Sequence, residues 1–112
     1  MPKRDDDILL RDILDAIGQI ELYLAGVTYW TFCETPLLQD GVMHRLEIIG
    51  EASRYLSDAF LEAHLDIPWQ DISGMRNRIA HAYFAVDLRA VWETAVTDIP
   101  ALRESIERVL RE

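Results

Sequence analysis

The sequence predicts an all-α protein: an antiparallel up-and-down helical bundle of four to five helices, forming one domain over residues 1–112. Three observations predict it. Apolar residues recur at spacings of three and four along most of the chain. Proline and glycine fall at a few separated points that punctuate those stripes. No strand-like alternation, hairpin signal, internal repeat or low-complexity run interrupts them.

Leu9, Ile13, Ala16, Ile20, Tyr23 and Val27 form the first stripe. Asp5, Asp6 and Asp7 precede it, where a helix start favours acids, so a first helix is expected over about 6–25. Gly26 and Thr28 then predict a break, followed by a short turn through Trp30 and Phe32. Thr35 before Pro36 reads as an N-cap with proline at the first helical position. The next stripe, Leu38, Val42, Leu46, Ile49, Leu56 and Phe60, predicts a second helix over about 36–63. Gly50 inside it costs up to ~1 kcal/mol against alanine, which points to close approach of another helix there. Asp66-Ile67-Pro68-Trp69 is a second stop and start. A third helix over about 74–84 carries GMRNRIAHAYF. Asp87 caps a fourth, with Val86 and Val91 placed as a hydrophobic staple. Pro100 kinks or splits that helix, with Asp98 as a local cap. The closing ALRESIERVLRE is amphipathic with opposed charges at helical spacing.

A chain of 112 residues with 50% hydrophobic and 28% charged residues has the balance of a globular domain. Twenty acids against eleven bases give a formal charge of −9, which argues against nucleic-acid binding over the whole surface and leaves room for a local basic site. The single cysteine, Cys33, excludes an intrachain disulfide and a CxxC metal clip, and a reducing, cytoplasmic setting follows. The opening MPKRDDDILL does not read as a signal peptide. No apolar stretch approaches the ~18 residues of a membrane span.

The densest chemistry lies in Arg76-Asn77-Arg78-Ile79-Ala80-His81-Ala82-Tyr83. On a helix Asn77 and His81 share a face one turn apart, and Arg76 and Tyr83 share a face two turns apart. Arg76 and His81 lie about 140° apart around the axis. These residue types suit metal-free attack on RNA. The ribose 2′-OH needs a base or acid near neutral pH, which histidine supplies. Charge growing on nonbridging oxygens is met by forked arginine donors. Asn77 would fix the imidazole or hold a phosphate oxygen. A two-fold dimer would bring a second histidine to one cleft. Taken alone, such an octet more often belongs to a packed helix, with His81 and Tyr83 half-buried and the arginines in surface ion pairs.

Other candidates are weaker. His44, Glu47 and Glu51 fall at helical spacing on the second helix, but one histidine and two carboxylates do not complete a metal site. A solvated or salt-bridged face accounts for them, and Glu47 or Glu51 is placed to order Arg76 or Arg78. His64 ends a helix and suits its dipole. Cys33 reads as a packing residue. Trp30, Trp69 and Trp92 read as core or interface anchors rather than base-stacking platforms.

IIGEASRYLSDAF followed by IPWQDISGMRNRIAHAYFAVDLRAVWETAVTDIPAL resembles the HepT-like toxin family of the HEPN ribonuclease superfamily. The octet matches that group's RX4HXY pattern, and the resemblance runs from about Ile8 to Leu110. It implies an α-helical bundle that dimerises, with the motif helices lining a shared cleft. It implies a metal-independent endoribonuclease toxin, without a cofactor, acting on transfer or messenger RNA. Arg76 and His81 would be catalytic, with Asn77, Arg78 and Glu51 supporting. Tyr83 matches the tyrosine to which a cognate minimal nucleotidyltransferase antitoxin transfers AMP. Two rivals stand beside this reading: a noncatalytic helical partner of a nucleotidyltransferase, and a carboxylate metal bundle.

Overall fold

The computed structural model describes residues 4–75, 79 and 87–112. Every regular element among them is helical: α1 (Arg4–Leu24), α2 (Tyr29–Glu34), α3 (Pro36–Arg54), α4 (Asp58–Ala63), α5 (Trp69–Ser73), α6 (Leu88–Glu93), a π-helical turn (Thr94–Asp98) and α7 (Ile99–Arg111). The all-α expectation holds. α1 and α3 form the principal pair, with α5 packed on α3 and α7 on α1.

The apolar stripes become one core. Leu10, Ile13, Ile17 and Ile20 of α1 meet Val42, Leu46 and Ile49 of α3 and Ile99 and Ile106 of α7, all essentially inaccessible to solvent. Leu10 and Ile17 lie deeper than Leu9 and Tyr23, so the buried face of α1 is rotated slightly from the predicted stripe. Gly26 ends the helix in the left-handed region, at φ 72°, where an L side chain is strained. Gly50 is buried, and its carbonyl accepts Ser53 Oγ at 2.9 Å. A measured close approach is at Gly41, where an added Cβ would lie 3.2 Å from the Tyr23 ring.

Four local expectations are corrected. The segment through Trp30 and Phe32 is a helix, α2, because Thr28 caps it by accepting from the Thr31 N–H. Thr35 does not cap α3 with its side chain. Its hydroxyl donates instead to the Thr31 carbonyl, and Gln39 Nε2 donates to the Phe32 and Cys33 carbonyls at 2.9 and 3.1 Å. The orphan acceptors at the end of α2 are thereby satisfied.

The helix expected over about 36–63 is two. It stops at Arg54, and α4 begins after Ser57, whose hydroxyl accepts from the Phe60 N–H at 3.2 Å. The break is held from far away. Asp6, only 2% exposed, accepts from the Ser57 backbone N–H at 2.8 Å and from its hydroxyl at 2.6 Å. A continuous helix would direct that N–H to its own ladder instead.

Asp98 does not cap α7 either: its backbone is helical and its side chain makes no capping bond. The chain instead passes from α6 to α7 through the π-helical turn, where the Ile99 N–H donates to the Thr94 carbonyl five residues back. Proline lacks an N–H and its ring collides with the carbonyl four residues earlier, so a widened turn before Pro100 relieves both problems without a break.

Two junctions follow expectation. α5 starts at Trp69 directly after Pro68, with Trp69 Nε1 donating to the His64 carbonyl at 3.0 Å. Asp87 caps α6 by accepting from the Ala90 N–H at 3.1 Å. Its staple partner Val86 lies outside the described residues. Of the helix expected over about 74–84, Gly74, Met75 and Ile79 are described: Gly74 caps the end of α5, and Met75 and Ile79 are buried in the core.

Candidate active site

The octet is where the sequence concentrates its chemistry, and the placement of its functional members is not described. Arg76, Asn77, Arg78, His81 and Tyr83 all lie outside the described residues, as does any pairing of Glu47 or Glu51 with Arg76 or Arg78. What the structure does place is the ground around the segment. Met75, which precedes it, and Ile79, within it, are each 4% exposed and buried in the core.

Glu51 sits on the last turns of α3, half-buried, with Arg54 Nη1 at 3.8 Å from its carboxylate. It lines a groove of about 490 Å³ between α1 and α3, together with Asp12 and Asp15 of α1 and Arg45 and Tyr55 from the α3 side. Arg45 is the cation of this groove. Its Nε is buried and has no hydrogen-bond partner among the described residues. A guanidinium N–H left without an acceptor out of water is costly.

A second cavity, about 380 Å³, opens between α5 and α7 over Ile67, Ile72, Met75 and Leu102. It borders the octet through Met75 and carries Asp66, Asp71 and Asp98. Among the described residues each of these two grooves carries three carboxylates, and the first also carries Arg45. A polyanion would be repelled by either wall taken alone.

The metal reading of helix α3 gains nothing. His44 is exposed, and no group of three or more His, Cys, Asp or Glu fit to hold a metal occurs among the described residues. His64 ends α4 as expected, with its ring 4.5 Å from that of Phe60. Trp69 is buried, and Trp92 packs on the core against Phe32 at 5.4 Å. Trp30 departs from the anchor expectation at the level of the core, being 75% exposed. Sequence reasoning also missed Asp6. An aspartate in a first helical turn reads as a dipole partner, and nothing local reveals a serine 51 residues on.

Fold and composition thus define a small all-α domain whose polar chemistry is gathered in one octet. The sequence profile of the family described as "Ribonuclease HepT-like" matches residues 13–109, and the chain belongs to that family. It is 38% identical over 107 residues to "Probable ribonuclease HepT" of Thermococcus cleftensis, covering 96% of this chain and 97% of the relative. It is 34% identical over 109 residues to a "Putative RNase" of Methanocaldococcus jannaschii, covering 97% of this chain and all of the relative. In a third relative, "Gamma-glutamylcyclotransferase and putative RNase" of the same organism, 98% of this chain matches half of the protein at 40% identity. No solved structure matches the chain significantly.

Proposed function

We propose that this chain is a metal-independent endoribonuclease, the toxin of a type II toxin–antitoxin pair, and that it works in the cytoplasm on transfer or messenger RNA. One observation carries the reading: Arg76, His81 and Tyr83 stand in RX4HXY spacing inside the matched span 13–109 of a ribonuclease family. The names of the relatives supply the substrate class.

In this mechanism the ribose 2′-OH attacks the adjacent phosphorus and the 5′-oxygen leaves. The products are a 2′,3′-cyclic phosphate and a free 5′-hydroxyl. His81 takes or delivers the proton, because an imidazole titrates near neutral pH. Arg76 stabilises charge on the nonbridging oxygens, with Arg78 assisting. Asn77 orients the imidazole or a phosphate oxygen, and Glu51 orders the arginines. One histidine cannot serve as both acid and base in a single step. A homodimer that faces two octets across one cleft supplies the second.

Silencing follows from the same geometry. A minimal nucleotidyltransferase antitoxin transfers AMP to the Tyr83 hydroxyl, which attacks the α-phosphorus of ATP and releases pyrophosphate. The new phosphodiester occupies the donors of Arg76 and repels substrate. Expression of the unmodified chain is expected to arrest growth, and His81→Ala to abolish the arrest. Equal toxicity, or none in either, contradicts the reading. Co-expression with a neighbouring nucleotidyltransferase is expected to raise the intact mass in steps of one AMP. A modification that survives Tyr83→Phe contradicts the assignment of the acceptor.

A further inference from the structure

An aromatic ladder climbs out of the core beside α6. Phe32, fully buried, packs on Trp92 at 5.4 Å between ring centroids. Trp92 meets Tyr29 at 5.9 Å, and Tyr29 meets Trp30 at 5.7 Å. The ladder ends at Trp30, 75% exposed, whose indole has no further ring beyond it among the described residues. Arg89 lies over the Tyr29 ring, its guanidinium carbon 4.5 Å from the centroid. The neighbouring Cys33 thiol raises the Tyr29 phenol above its usual pKa.

The Trp30 indole presents an open ring to solvent. The other large exposed apolar residues are Ile8 and Leu22 on α1, Leu37 at the start of α3, Tyr55 after α3, Leu65 after α4 and Val96 in the π-helical turn. A protein partner needs a broad desolvated patch. A nucleobase needs one ring face and a nearby cation for its phosphate, because every base has a π-face and every nucleotide a charge. The cation is available: the contact of Arg89 with Glu93 is loose, at 3.7 Å, with both side chains more than half exposed. An ion pair of that kind is worth little, so a phosphate can replace the carboxylate at small cost. Arg89 also stands six residues beyond Tyr83 in the sequence.

We infer that Trp30, with Tyr29 and Arg89, is a stacking platform for an unpaired base of single-stranded RNA. This revises the expectation that the tryptophans do not stack on bases. It rests on the ribonuclease reading and adds to it a substrate-holding residue on α2, which no RX4HXY position supplies. The ladder gives the platform rigidity. Each ring is braced by the next down to Phe32, so little side-chain entropy is lost when a base settles on the indole.

The test is binding of a fluorescein-labelled single-stranded oligoribonucleotide to the full chain in a His81→Ala background, so that cleavage does not intervene. Trp30→Ala is expected to weaken binding about tenfold, and Trp30→Phe, which keeps a ring, by no more than roughly threefold. Arg89→Ala is expected to lower the slope of log K against log salt by about one. Circular dichroism checks that the exposed substitutions leave the fold intact. Binding by the parent chain that Trp30→Ala leaves unchanged overturns the platform while sparing the nuclease reading. Absence of RNA binding by the parent chain overturns both. A shift of Trp30→Ala from dimer to monomer in sedimentation, with weaker binding recovered by cross-linking the dimer, assigns the indole to a second copy and overturns it as well.

Discussion

Two polar links tie α1 to distant parts of the chain, and they lie in opposite surroundings. Asp6 reaches Ser57, 51 residues on, at 2% exposure. Glu21 reaches Arg103, 82 residues on, through bonds of 2.6 and 3.1 Å, but the two side chains are 47% and 31% exposed. By bond count and geometry the Arg103 fork is the equal of the Asp6 clasp. By physics it is not. Water competes for an exposed ion pair and the long side chains lose entropy, so such pairs contribute about 0.2–1 kcal/mol. A buried carboxylate that meets two donors leaves those donors stranded when it is removed, at about 1–3 kcal/mol for each unsatisfied group. Only the buried link also decides where a helix ends.

Asp6→Ala therefore gives the largest loss expected, about 3 kcal/mol, or roughly 10 °C in Tm for a domain of this size. Thermal unfolding followed by circular dichroism measures it. Ser57→Ala comes next, at about 1–2 kcal/mol, because it removes the donor to Asp6 and the cap of α4 but keeps the backbone N–H bond. Denaturant titration separates the two. Glu21→Gln is expected below about 1 kcal/mol, with the loss shrinking further at high salt. The hydrogen bond to Asp7 raises the pKa of Arg11, yet the pair is largely solvent-exposed, so Arg11→Ala should not move the melt beyond replicate scatter. A Glu21→Gln variant as damaged as Asp6→Ala would break the comparison. A double-mutant cycle sharpens it: coupling above about 1 kcal/mol is expected for Asp6 with Ser57, and less for Glu21 with Arg103.

The same contrast explains what the sequence made legible. Periodicity found the buried faces of α1 and α3, because Ile13, Ile20, Val42 and Leu46 report core contact within one turn of themselves. Pro68 and Asp87 marked two helix starts, because their effects are local. The split after Arg54 was hidden, since the stripe through Leu56 and Phe60 continues across it and its cause is Asp6. The π-helical turn was hidden too: Pro100 signals a disturbance, and only packing chooses between a break and a widened turn. Of the candidate site, the sequence supplied the octet and Glu51, and the structure placed Glu51 in a groove with Arg45. Of the core and interface alternatives read for Trp30, its exposure excludes the core, which the sequence could not decide because a single tryptophan carries no sign of which way its ring faces.

The central claim is that a guanidinium and an imidazole of the octet cleave RNA without metal. Gel analysis of a labelled RNA incubated with the purified chain in excess EDTA tests it most directly. Cleavage that leaves 2′,3′-cyclic phosphate ends, with His81→Ala and Arg76→Ala each slower by about a hundredfold or more, is the predicted result. Cleavage that EDTA abolishes, or that survives both substitutions at the parental rate, contradicts it.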